Sequence, residues 1–161
     1  MSDAGDFVDA ALQHESTWRR AVDQATHIGT DLQFYGASVG AVRGAIRAIG
    51  HRFPELAHDA ITALASELWA PPVFERRLAA IVLLQTHLRL LDNSDLTRFE
   101  GFLRDARTPA LADPLIADVI VPLVEALAGS SRIRANMAFA RWSTESNPWL
   151  LRAAQRLGRI G

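Results

Sequence analysis

Apolar residues recur three and four apart along nearly the whole chain of 161 residues, and the breaks between apolar runs recur at an almost constant interval. Both periods point to helices. Phe7, Ala11, Trp18, Val22 and Ala25 predict a first helix over roughly 4–27. Val39, Val42, Ile46 and Ile49 predict the next, with Ser38 as its N-cap. Gly40 and Gly44 lie four apart in it, where they cost helix propensity but would permit close helix approach. Leu56, Ala60, Leu64 and Leu68 line a third helix ending before Pro71–Pro72, and Phe74, Leu78, Ile81, Leu84, Leu88 and Leu91 line a fourth. Asp92–Asn93–Ser94 reads as a turn and cap. Leu96, Phe99 and Leu103 mark a fifth helix. A sixth opens at Thr108–Pro109 or at Asp113–Pro114, carries a kink at Pro122 and ends at Gly129–Ser130. Ile133, Met137 and Ala140 line a seventh, and Asn147–Pro148 caps an eighth bearing Leu150, Ala154 and Leu157. No segment alternates with a period of two and β-branched enrichment, so no sheet is expected.

From residue 38 the helices fall into pairs. Pair starts near 38, 73, 109 and 147 give steps of 35, 36 and 38 residues. That period belongs to helical repeats, in which each pair covers its neighbour. The expected fold is all-α: a right-handed α-solenoid of stacked antiparallel helix pairs. Residues 1–161 are read as a single repeat domain, its N-terminal helix at 4–27 and its repeats from about 38. The fourth pair lacks its second helix, so the sequence reads either as a fragment or as a stack closed by one helix, the first being preferred.

Charge adds a direction. All 17 basic residues are arginine, whose planar fork suits phosphate and carboxylate. Residues 1–35 set Arg19 and Arg20 against Asp3, Asp6, Asp9, Glu15, Asp23 and Asp31, a net −4. Residues 126–161 set six arginines against Glu145 alone, a net +5. The C-terminal end is therefore a candidate anion-facing surface. The absence of cysteine excludes disulfides, thiolate nucleophiles and thiolate metal sites. No apolar run reaches the roughly 18 residues of a membrane span, and Met1–Asp6 is acidic, unlike the start of a signal peptide. A cytoplasmic location and a monomer are expected.

The residues alone name no reaction. His51, Glu55 and His58 are close in sequence, but Pro54 separates the first from the helix bearing the others. They read as a helix corner rather than a metal site, and no metal or cofactor is expected. There is no glycine-rich phosphate loop and no nucleophile elbow.

Three stretches carry a resemblance. Tyr35-Gly36-Ala37-Ser38-Val39-Gly40-Ala41-Val42-Arg43 is similar to the early Tyr-Gly…Val-Arg segment of the bacterial DNA alkylation repair family, the HEAT-like alkylpurine DNA glycosylases. Leu68-Trp69, followed by Glu75-Arg76-Arg77-Leu78-Ala79, resembles that family's second repeat. Arg141-Trp142-Ser143-Thr144-Glu145-Ser146-Asn147-Pro148-Trp149-Leu150-Leu151-Arg152-Ala153-Ala154 resembles its Trp-Ala-x-Ser-x-Asn-x-Trp-x-Arg-Arg-x-Ala segment. The resemblance spans roughly residues 35–158 and implies HEAT-like repeats.

It also implies a function: binding duplex DNA along a basic concave surface and releasing purines alkylated at N3 or N7. Such bases carry positive charge, which weakens the glycosidic bond. Their loss leaves an oxocarbenium-like sugar that a carboxylate can stabilise while water attacks. By resemblance Asp113 aligns with the catalytic aspartate, but Pro109 stands where the family places a tryptophan, and proline has no π face for a cation. Asp113–Pro114 is also a good helix start, so capping competes with catalysis for Asp113. Arg152 aligns with the second arginine of the Arg-Arg pair, Leu151 replacing the first. Arg152, Arg156, Arg43, Tyr35 and Trp149 are the expected DNA-binding residues, with packing between helices the competing role for Trp142, Trp149 and Tyr35. The competing function is a non-catalytic HEAT-like scaffold that binds DNA or a protein partner.

Overall fold

The computed structural model describes residues 1–160, and the fold is all-α as expected. Among these residues the only β pairing is one parallel bridge, Gln33 with Val73. Among the described residues no helix is long and apolar enough to cross a membrane. Backbone contacts gather into two compact units, Met1–His87 and a second from Leu88 onward.

The first unit contains α1 (Asp3–His14), α2 (Trp18–Ile28), α3 (Val39–Arg52), α4 (His58–Trp69) and α5 (Phe74–Thr86). α5 packs against α3 and α4, and α1 against α3. Val8, Leu12, Val42, Ile49, Ile61, Leu68, Ile81 and Leu84 fill the space between them. The helix expected over 4–27 is two helices. The Ser16 hydroxyl donates back to the Leu12 carbonyl, and Thr17 turns extended to cap α2 through the Arg20 N–H. Such local polar bonds compete with helix continuation. Trp18 is 81% exposed and Val22 45%, and α2 buries no residue, so the apolar face read there lies open.

Polar contacts hold α2 instead. The Gly36 carbonyl accepts from the Thr17 N–H at 3.1 Å and from Arg20 Nη1 at 2.8 Å, and Gln24 donates to the Ala37 carbonyl at 3.1 Å. Gly36 has φ +90°, and a Cβ there would stand 2.1 Å from the Thr17 carbonyl oxygen. The close approach expected at Gly40 and Gly44 is not formed: a Cβ on Gly44 would meet nothing within 4 Å, and one on Gly40 only the Ser38 hydroxyl, at 3.8 Å.

Asp9 joins α1 to α5. Its Oδ1 accepts from the Tyr35 hydroxyl and from Arg76 Nη1, each at 2.7 Å. Burial pushes the Asp9 carboxyl up, but hydrogen bonds from Tyr35, Arg76 and Gln13, with the Arg76 charge, outweigh it and hold the group below its ordinary value. Burial and the bond to Asp9 raise the Tyr35 phenol.

The second unit opens with 3₁₀ turns at Leu88–Leu90 and Asn93–Asp95, the latter closed by a reciprocal Asp92–Asp95 capping box. α6 (Leu96–Arg104) follows, and then α7 (Pro109–Pro114), a π turn (Leu115–Ile120) and α8 (Val121–Ala126) run on without a break. α9 (Gly129–Trp142) and α10 (Pro148–Leu157) complete the unit. α10 packs against α9 and α6 over Phe99, Leu103, Trp142, Leu150 and Leu157.

Of the two starts offered for the sixth helix the first holds, and two expectations are corrected: the break at Gly129–Ser130 and the inward face of the seventh helix. Thr108 caps α7 and Pro109 is its first residue, so Asp113–Pro114 lies inside the helix and caps nothing. The π turn stands where the Pro122 ring would crowd the Asp118 carbonyl; a widened turn relieves that clash. Gly129–Ser130 begins α9 rather than ending α8. Ile133 and Met137 are exposed, at 61% and 65%, because Ala135, Phe139 and Trp142 take the inward face. The aromatic pair buries more area, and the Trp142 indole N–H finds the Glu100 carboxylate.

Two glycines should respond with opposite sign. Gly36→Ala should lower stability by about 2 kcal/mol or more. Gly44→Ala, in open helical space, should raise it by about 0.5–1 kcal/mol. Urea midpoints read both; equal shifts would contradict the crowding at Gly36. Asp9→Asn should cost about 2 kcal/mol at neutral pH. A depressed carboxyl contributes stability above its unfolded value, about 4, and loses it as pH falls. The gap between wild type and Asp9→Asn should therefore close in acid; a gap that persists there would exclude the charged network as its source.

Candidate functional site

Asp113 is the fifth residue of α7, half exposed, with Leu111 and Ala112 turned to the core behind it. α10 faces it. Asn147 Oδ1 accepts from the Trp149 and Leu150 N–H groups at 3.0 and 3.2 Å and Pro148 takes the first helical position, which sets the start of α10. Leu150, Ala153, Ala154 and Leu157 then bury one face, leaving Arg152 and Arg156 on the other.

Arg152 grips Asp113 with both arms of its fork. Nε lies 2.9 Å from Oδ1 and Nη2 donates to Oδ2 at 3.3 Å. Two parallel charge-assisted bonds fix the plane of the carboxylate as well as its position. The pair lies in an open cleft of about 380 Å³, lined also by Arg156, Gln155, Arg159 and, from the π turn, Ile116 and Ala117. Three guanidinium groups face one carboxylate, so the lining carries a formal +2. Such a cleft attracts anions and orients them by forked donors. The widened turn contributes the apolar floor.

The structure thus brings together Asp113, Arg152 and Arg156 of the six residues singled out in the sequence. Arg43 is exposed on α3 in the first unit. Tyr35 is tied to Asp9 and, through its backbone N–H, to Glu75 at 3.0 Å, which makes it part of the packing of that unit. Trp149 is half-buried in the first turn of α10 and is not among the cleft's lining residues. Pro109 is exposed at the head of α7, one turn before Asp113. Trp142 is buried, as its packing role requires. Arg159 and Gln155 were missed. The signal for Arg159 was present: Arg152, Arg156 and Arg159 are spaced four and three apart, which puts them on one helix face.

Glu75, Arg76 and Arg77, read as part of a family segment, are buried structural residues. Arg77 Nε donates to the Trp69 carbonyl at 2.9 Å and its guanidinium lies 5.2 Å from the Trp69 ring centre.

No curated protein matches the chain. The family described as DNA alkylation repair enzyme matches residues 8–157, a span that takes in both units and every residue of the Asp113 cleft but Arg159. On that match the chain belongs to the DNA alkylation repair enzyme family.

Proposed function

We propose that the chain binds duplex DNA through the arginine cleft of its second unit and hydrolyses the N-glycosidic bond of purines alkylated at N3 or N7, with Asp113 as the carboxylate. The carrying observation is the two-armed grip of Arg152 on Asp113 inside a cleft whose other charges are Arg156 and Arg159. The arginines meet phosphates on either side of a lesion. The fork fixes the position and the plane of the Asp113 carboxylate.

An alkylated purine is a cation and leaves as a neutral base, taking the electron pair of the C1′–N bond. Positive charge passes to C1′ and the ring oxygen, where Asp113 opposes it. Water adds to C1′ and gives up a proton, leaving an abasic sugar. The chemistry asks of the protein one oriented carboxylate and a grip on the backbone.

A second reading is favoured by Pro109. At the head of α7 the chain offers a pyrrolidine ring instead of a π face, and the cleft's formal +2 suits a phosphate better than a sugar cation. In this reading the protein holds DNA without cutting it.

Base release from duplexes carrying 7-methylguanine or 3-methyladenine decides between them. The expected result is release by the wild type and a loss of about a hundredfold or more in Asp113→Asn. No release from either, with salt-sensitive DNA binding intact, would leave the non-catalytic reading standing. A stable protein partner in pull-down, with no duplex shift at low salt, would remove DNA from both. Arg156→Gln should weaken binding to all sequences alike and lower the slope of log affinity against log salt by about 1; an unchanged slope would take Arg156 out of the interface.

A further inference from the structure

The arginines of α9, α10 and the turn after it divide in an orderly way. Arg132 donates to the Val124 carbonyl at 2.9 Å and to Asn136, and Arg152 is held by Asp113. Arg156 and Arg159 line the Asp113 cleft. The remaining two, Arg134 and Arg141, line a second and separate groove of about 210 Å³. They are exposed, two helical turns apart on one face of α9, and neither makes a side-chain hydrogen bond. Small Ala138 stands between them, so nothing bulky fills the space their side chains frame.

The opposite wall is polar. It comes from the 3₁₀ turn and the start of α6: Asn93, the Ser94 hydroxyl and the Thr97 hydroxyl. Ser94 gives its hydroxyl proton to Asp92, so the donors left on this wall are Asn93 and the exposed Thr97. The one carboxylate in the lining, Glu100, is already engaged. It accepts from the Trp142 indole N–H and lies 3.9 Å from Arg104. Two guanidinium groups without hydrogen bonds, Arg141 also within reach of the Glu145 charge, face the Asn93 amide and the Thr97 hydroxyl across the groove and match a tetrahedral oxyanion, which accepts from several directions at once.

We propose that this groove is a second phosphate-binding site, distinct from the Asp113 cleft, in which Arg134 and Arg141 clamp a phosphoryl group against Asn93 and Thr97. Its phosphate comes either from a further stretch of nucleic-acid backbone or from free phosphate; only the first source rests on the DNA reading above. The site needs no lesion and no chemistry at Asp113. Trp142 lies in the groove wall and reports on occupancy through its indole N–H.

The test titrates the full chain with inorganic phosphate at low salt while following the Trp142 indole N–H resonance. Wild type, Arg134→Gln/Arg141→Gln and Arg156→Gln are compared, with circular dichroism to check folding; the changes are at exposed helix positions and glutamine keeps the helix. The resonance should move in wild type and in Arg156→Gln and stay still in the double variant. No movement in wild type, or movement that persists in the double variant, overturns the site. Duplex titrations then separate the sources. A salt slope reduced by about 2 in the double variant assigns the groove to DNA backbone; an unchanged slope, with the phosphate response lost, assigns it to free phosphate. If no variant binds DNA at all, the DNA reading fails and the phosphate arm still decides the groove.

Discussion

A fully buried carboxylate organises the first unit. Glu75 Oε2 accepts from the Gly36 N–H at 2.7 Å and the Ala37 N–H at 3.1 Å, and Oε1 accepts from the Tyr35 N–H at 3.0 Å. An unpaired carboxylate in that position would be prohibitively costly, and three backbone donors offset the loss of water. Glu75 is the second residue of α5, where the positive end of the helix adds to the same balance. The consequence runs outward. Residues 35–37 are drawn against the head of α5, which turns the Gly36 carbonyl towards Thr17 and Arg20. Gln33 meets the same end of α5, giving its N–H to the Pro72 carbonyl at 2.8 Å and taking the Phe74 N–H at 2.9 Å.

This arrangement explains how α2 can exist without a buried face. Most helices in proteins are stable because one stripe is covered. α2 is fixed by its cap and by bonds to the 36–37 carbonyls, while Glu75 takes the N–H groups of the same residues and so holds that segment in place. The next two residues continue the pattern. Arg76 reaches Asp9 and the Glu67 carbonyl, and Arg77 reaches the Trp69 and Pro71 carbonyls. Three consecutive charged side chains are thus buried, each bonded to backbone or to an opposite charge, with only the Arg76 Nε left without a partner, and together they join α1, α4 and the 35–37 segment to α5.

That burial is the part of the fold least legible in sequence. Glu75-Arg76-Arg77 at the head of an apolar helix reads as a solvated first turn, and only the carbonyls and N–H groups that converge on it from distant positions reveal otherwise. Elements with a clean period and local caps were legible: α3 behind Ser38, the turn at Asp92, and α10 behind Asn147. Faces were legible where one stripe dominated and misread where two competed. On α9 the Ile133–Met137 stripe and the Phe139–Trp142 stripe are both apolar, and partners for Trp142 decided between them. In the site, Arg152 was legible by its resemblance to the family's second arginine, and the period of α10 places Arg156 on the same face. The local environment of Asp113 did not, because Asp-Pro is a good helix start wherever no better cap precedes it. Thr108, five residues earlier, is that better cap, and it releases the Asp113 side chain from capping.

A released carboxylate facing three arginines sets the terms for whatever the cleft does. Arg152 cannot use the same N–H groups on Asp113 and on a phosphate. When a phosphate arrives, either Arg156 and Arg159 take it and the Asp113 grip survives, or Arg152 transfers and leaves a carboxylate facing the ligand with less positive charge beside it. The first outcome gives a neutralised aspartate and a binding surface. The second gives a carboxylate able to oppose a developing cation at the sugar. The ion pair is half exposed, where its net stabilisation is small, so a phosphate ligand can compete for Arg152. On the proposed function, the balance between holding DNA and acting on it would turn on this one arginine fork, and Pro109, without a π face, would leave Asp113 to oppose the cation alone.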